Sequence, residues 1–201
     1  MSELSELRKQ ATSCTACELY ADATQTVFGA GREGAPIMLA GEQPGDQEDR
    51  QGQPFVGPAG KLLDQALQRA GISREDAYVT NVVKHFRFNR QGKRRIHQTP
   101  GIEHVRACLP WLRAELQAVG PKLLVTLGAT AAKSLLGSSF RLTHHRGELL
   151  EFDGLPLVAT IHPSAVLRAP GERRDEMLEG LVADLKLAGR TAVSSQAADP
   201  R

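Results

Sequence analysis

The chain has 201 residues, 41% of them hydrophobic, and a formal net charge of +2. That length and apolar content suit one compact domain with a real core and exclude a disordered or fibrous chain. No apolar run approaches the ~18 residues of a membrane span, and the polar opening MSELSELRKQ lacks the apolar stretch of a secretion signal, so the expected location is the cytoplasm.

The chain begins with a helical stretch and a turn reaching about Cys17. Residues 35–40, APIMLA, read as a short buried strand that feeds a glycine- and proline-rich loop through Pro58. A helix is expected over 59–70, with Leu62, Leu63, Ala66 and Leu67 on one face and Gly71 as its stop. A second strand covers 77–83 and a long loop 84–97. A helix over 102–119 carries Val105, Leu109, Leu112 and Leu116, and Gly120-Pro121 ends it. The third strand is 123–127, followed by a helix over 129–136. The fourth strand, 157–160, runs into Ile161-His162-Pro163-Ser164, and the final helix covers 173–187. Residues 1–190 form a single domain without internal repeats. The small polar tail 191–201 is expected to be disordered.

Strands alternating with helices imply a three-layer α/β/α sandwich around a central, mainly four-stranded parallel sheet. Ligands of such sheets bind at the carboxyl ends of strands. Glu42, Gln43, Asn81 and His162 all fall there.

Between Lys84 and His97 six Lys and Arg residues occur with no acidic residue among them. Such a run is either a solvated loop or a phosphate-binding patch. The cysteines are Cys14, Cys17 and Cys108. A cytosolic chain with a C-x-x-C pair and an odd cysteine points to metal or redox chemistry rather than disulfides.

The stretch GEQPGDQEDRQGQPFVGPAGKLLD at 41–64 resembles the first signature of the iron–sulfur branch of the uracil-DNA glycosylase superfamily. YVTNVVK at 78–84, LGATAA at 127–132, HPS at 162–164 and Cys14-x-x-Cys17 follow the same family's order. Gln43 and the loop Lys93-Arg94-Arg95-Ile96-His97 are similar to the UdgX type, which excises uracil and then bonds covalently to the abasic site.

The resemblance implies a site for a uracil flipped out of DNA, since its glycosidic carbon is unreachable inside a duplex. Phe55 is then a stacking surface, where a ring packed under the loop is the plainer alternative. Asn81, otherwise an ordinary strand-end turn residue, would read the O4 and N3–H edge with its amide. Glu48 would crowd the thymine methyl group. His162 would donate to uracil O2 as negative charge grows there. His97 would attack the sugar, with Glu42 orienting its ring and Gln43 fixing a water or contacting the sugar. Contact with phosphate is the alternative for His97. Lys93, Arg94 and Arg95 are assigned to phosphates and Arg168 to the space left by the flipped base.

Relatives carry a fourth cysteine where this chain has His85. The implied ligand set is Cys14, Cys17, His85 and Cys108 around a 4Fe-4S cluster, with a Cys3His zinc site as the chemical competitor. The expected partner is uracil-containing DNA and the expected state a monomer. Two other functions stay open: a glycosylase that uses water and turns over, and a non-catalytic, metal-stabilised DNA-binding module.

Overall fold

A computed structural model describes residues 2–197. In chain order the elements are α1 (Glu3–Ala11), β1 (Ile37–Gly41), α2 (Asp46–Gln51), α3 (Pro58–Ala70), β2 (Ala77–Asn81), β3 (Phe88–Gln91) and β4 (Arg94–His97). They continue with α4 (Ile102–Val119), β5 (Leu123–Leu127), α5 (Ala129–Leu136), α6 (Leu142–His145), β6 (Leu149–Phe152), β7 (Leu155–Thr160), α7 (Pro163–Arg168) and α8 (Gly171–Ala197).

The main sheet has the order β2-β1-β5-β7-β6. Its first four strands are parallel, and β6 is an antiparallel edge joined to β7. Along β1 and β5 every residue is buried, as a sheet covered on both faces requires. Side chains alternate between the two faces. Met38, Ala40, Tyr78, Leu124 and Leu157 pack with Leu4 of α1 and Val105 and Leu112 of α4. Ile37, Leu39, Val79, Val125 and Val158 pack with Leu63 of α3, Val166 of α7 and Leu181 of α8. The expected three-layer α/β/α sandwich is therefore present, with a fifth strand added.

Several expectations need correction. The loop 84–97 is a hairpin, β3 paired with β4 in antiparallel register from Phe88–His97 to Gln91–Arg94. Its two-residue turn places Gly92 at φ 57, a conformation that favours glycine. The loop after β1 contains a helix, α2, begun by three acidic residues in its first turn. The last helix runs on to Ala197, so residues 191–197 are helical rather than disordered; residues 198–201 lie outside the described residues. Among the described residues, no helix is long and apolar enough to cross a membrane.

Register positions the site. Gly41 lies opposite Asn81, and Leu127 opposite Thr160. The residues that follow these strand ends, Glu42, Gly128 and His162, thus share one edge of the sheet with Asn81.

Candidate active site and its basic hairpin

A cavity of about 720 Å³ opens at that edge, and its walls include Glu42, Glu48, Phe55, Asn81, His97 and His162. Residues expected to act together from four separate stretches of sequence therefore meet in one space. Gln43 and Arg168 also reach it.

Gly41 makes the floor possible. A Cβ there would lie 2.5 Å from Asn81 Oδ1 and 2.8 Å from Phe55 Cζ. The absence of a side chain lets both groups occupy the cavity wall. Phe55 holds a positive φ of 57, uncommon for a residue with a bulky side chain and a form of strain that concentrates at functional sites. Its ring is stacked with His162 at 6.0 Å between centroids and 27° between planes. Asn81 is 3% exposed, and among the described residues no protein group takes a hydrogen bond from its side-chain amide.

His162 is the N-cap of α7. The Ser164 N–H donates to its Nδ1 at 3.1 Å, and Ser164 Oγ lies 2.8 Å away. With Nδ1 accepting, the proton of the neutral ring sits on Nε2. Burial, then the positive charge of Arg168, pushes the imidazole pKa down to about 4. The ring is thus a neutral Nε2–H donor across the physiological range.

His97 closes the hairpin and is half exposed. Its Nε2 stands 3.4 Å from Glu42 Oε1, an oxygen that is buried and otherwise unpartnered. The two groups expected to act together therefore stand close without a hydrogen bond between them. Glu48 is committed elsewhere: its Oε1 accepts the Gly57 N–H at 2.9 Å and so fixes the loop that carries Phe55.

Two assignments are overturned. Arg95 is not a surface cation for phosphate. Its side chain is 7% exposed, donates to Asp49 at 2.6 Å and to Thr24 Oγ1 at 3.1 Å, and ion-pairs with Asp46. The guanidinium also lies over the rings of Phe86 and Phe88, 5.4 and 5.0 Å from their centroids. Gln43 does not present its amide to a base or a water. Its Nε2 donates to the carbonyls of Arg87 and Gln98, at 3.1 and 3.0 Å, while its Oε1 accepts the Arg87 N–H at 3.1 Å. Both amide hydrogens are spent on the two ends of the hairpin. Lys93 and Arg94 remain exposed at its tip, as does Arg168 on the opposite rim. The sequence held a signal for the Arg95 anchor: Asp46 and Asp49 are spaced i, i+3, one face of a helix.

Lys84, counted among the basic loop residues, is fully buried and paired with Glu115 at 2.5 Å. Its backbone N–H points at Cys108 Sγ, 3.5 Å away. Trp111 Nε1 donates to Cys14 Sγ at 3.2 Å. All three cysteines are free, and burial pushes the Cys108 thiol up to about 11. His85 is 3% exposed, its Nε2 sits 2.9 Å from Thr26 Oγ1, and its buried Nδ1 has no partner. In the tautomer that donates Nε2–H to the Thr26 hydroxyl, the ring keeps a lone pair on Nδ1, as a ligand requires.

Among the described residues, Glu18, Glu103 and His104 are the only group of three potential metal ligands within 4.8 Å of one another. They do not suit an ion. His104 Nδ1 accepts the Gly101 N–H at 2.8 Å, so Nε2 carries the proton it shares with Glu18 at 2.6 Å. No ring lone pair is left. That contact instead clasps the turn after Cys17 to the helix bearing Cys108.

The family model for the uracil DNA glycosylase superfamily matches residues 28–186. A type-4 uracil-DNA glycosylase of Thermotoga maritima is 36% identical over 189 residues, covering 92% of this chain and 93% of the relative. Type-4 enzymes of Pyrobaculum aerophilum and Archaeoglobus fulgidus are each 36% identical, covering 85% and 87% of this chain and 88% of either relative.

Proposed function

Because the chain belongs to the uracil DNA glycosylase superfamily, we propose that it excises uracil from DNA and then traps the abasic sugar covalently on His97. The excision half rests on the family and on the cavity that gathers Phe55, Asn81 and His162. The observation that carries the trapping half is the His97–Glu42 approach of 3.4 Å at the cavity wall.

The flipped uracil stacks on Phe55, and the Asn81 amide meets its O4 and N3–H. Cytosine presents the opposite donor and acceptor pattern there. Glu48, held against Gly57, sits where a thymine methyl group would intrude. The bond between the sugar C1′ and uracil N1 breaks with its electron pair on the base. His162 donates Nε2–H to O2 as that charge develops, a preorganised contact of the oxyanion-hole kind.

The electron-poor C1′ then takes the lone pair of His97. Turning its Nε2–H to Glu42 leaves Nδ1 as the free nucleophile. Bond formation makes the ring cationic, and Glu42 accepts the Nε2 proton to leave a neutral N-substituted imidazole. Gln43 and Arg95 hold the hairpin so that His97 stays within reach, which a near-attack geometry demands. Lys93, Arg94 and Arg168 contact phosphates or fill the stack.

Cys14, Cys17, Cys108 and the lone-pair Nδ1 of His85 fit an iron–sulfur cluster. A single zinc ion holds thiolates about 3.8 Å apart, and these side chains offer no such tight group of three. The cluster would supply a structural tie between the N-terminal turn and both ends of the 84–108 connection.

Incubation with a uracil-containing oligonucleotide, followed by a denaturing gel, tests the reading. A heat- and detergent-stable shifted band with at most one uracil released per chain is expected. Free uracil in excess of enzyme with no shifted band would establish the water-using alternative. Binding without uracil release would establish the non-catalytic one.

A further inference from the structure

The most costly polar group in the core lies directly beneath the uracil reader. Lys84 and Glu115 are both 0% exposed, and their charged ends meet at 2.5 Å. The three N–H bonds of Lys84 Nζ are all used: Glu115 Oε2, Thr80 Oγ1 at 2.7 Å and the backbone carbonyl of Asn81 at 2.8 Å. Glu115 Oε1 accepts the Gly29 N–H at 2.9 Å and the Tyr78 hydroxyl at 3.0 Å, and the Thr80 hydroxyl approaches both carboxylate oxygens.

Stability is a poor explanation for such a pair. Removing two charges from water costs several kcal/mol per ion, and well-packed apolar replacements are often neutral or stabilising. Position is a better one. β2 is the outer strand of the sheet, and it ends at Asn81. On the inner side, Val82 and Val83 donate to the carbonyls of Gly41 and Glu42 at 2.9 and 3.0 Å. On the outer side, Ala30 exchanges hydrogen bonds with Val79 and Val27 donates to the Lys84 carbonyl, each at 2.8 Å, so that among the described residues this segment brackets the Asn81 peptide without bonding to it. Lys84 supplies that missing contact from three residues past the end of β2, and Glu115 anchors Lys84 to α4.

We propose that the Lys84–Glu115 pair is a positioning device for base recognition: it fixes the Asn81 peptide so that the side-chain amide meets uracil in one orientation. The proposal rests on Asn81 reading the base. Lys84 and Glu115 are positioning residues, since neither reaches the cavity. An amide that reads an edge is sensitive to rotation, because swapping its donor and acceptor ends turns a uracil reader into one that tolerates cytosine.

The test compares wild type, Asn81→Ala, Thr80→Val and the double variant Lys84→Met/Glu115→Leu, which replaces the pair with apolar groups. Thermal stability, inhibition of excision by free uracil, and excision at saturating enzyme are measured on uracil- and cytosine-containing oligonucleotides. The double variant is expected to hold a near-native melting temperature, to bind free uracil at least tenfold more weakly, and to lose discrimination by a similar factor. Thr80→Val, which removes only the bridging hydroxyl, is expected to shift both in the same direction by a smaller factor and stands in if the double variant does not fold. Native uracil inhibition and native discrimination in the folded double variant, or in Thr80→Val in its place, would overturn the proposal. Native discrimination in Asn81→Ala would instead defeat the reading of Asn81 itself.

Discussion

Arg95 donates to Asp49 at 2.6 Å through a side chain that is 7% exposed, while Arg94, one residue earlier, stands in solvent. Adjacent arginines in one hairpin thus have opposite roles. Arg95 ties β4 to α2, and α2 starts five residues past the end of β1, so the hairpin that ends in His97 is fixed to the loop that carries Glu42. Breaking one partner of a buried pair costs about 3–5 kcal/mol because the other charge is stranded. Arg95→Met is expected to reduce the covalent band at least tenfold while uracil release continues, measured on one gel with labelled strand and labelled base. Arg94→Ala should leave the trapped fraction unchanged at saturating DNA and weaken binding in a salt-dependent manner.

Gln43 acts on the same hairpin from the other side. Gln43→Ala removes hydrogen bonds to Arg87 and Gln98; the Arg87 carbonyl keeps the Gln98 N–H, while the part-buried Gln98 carbonyl and Arg87 N–H lose their partner, at about 1–3 kcal/mol at most for each group. The expected outcome is slower trapping with excision altered by less than tenfold. Equal losses in both steps would return Gln43 to a direct role on the base or sugar.

For His162 the sign of the pH effect follows from its tautomer. The folded imidazole has a pKa of about 4, below its ordinary 6.5. Above pH 6.5 the ring is neutral in folded and unfolded chains alike, and it contributes nothing to a pH slope. As pH falls from 6.5 towards 4 the unfolded chain gains a proton that the folded ring refuses, so stability declines through that window. Single-turnover excision should show no loss attributable to this ring from pH 8 to pH 5.5. His162→Ala should lower the excision rate by about 10²–10³-fold, the usual effect of deleting one preorganised donor, and flatten the decline in melting temperature below pH 6.5.

The four parallel strands, and the helices over 102–119 and 129–136, were legible in the sequence because apolar periodicity and glycine stops mark buried elements. The hairpin was not. Its strands are short and mostly exposed, with three arginines among eight residues, so no apolar alternation announces them; only the turn at Gly92 does. The residues lining the cavity were legible through their motifs, since Glu42, Asn81 and His162 each lie at or just past the end of a strand. What those motifs hide is how a side chain is spent. A charge run assigns Lys84, Arg94 and Arg95 alike to the surface, whereas Glu115, thirty-one residues away, and Asp49, forty-six residues away, bury two of them. Such pairings are long-range and leave no local pattern.

The ligand set predicts a colour change that activity alone would not reveal. Cys108→Ser should abolish the broad visible absorbance of anaerobically purified protein and lower its iron content, while His85→Cys, which restores a thiolate at the relatives' position, should retain both. A colourless wild-type protein carrying one zinc per chain would refute the cluster.

In the proposed reaction His97 itself becomes bonded to the sugar. Digestion of the DNA and then of the protein with trypsin, followed by mass spectrometry, isolates peptide 96–106, which contains both His97 and His104. This peptide is expected to carry an added deoxyribose residue localised to His97, and none is expected in His97→Ser, which instead releases abasic DNA over many turnovers. A sugar found on any other residue, or a cross-link that persists in His97→Ser, would contradict that reaction.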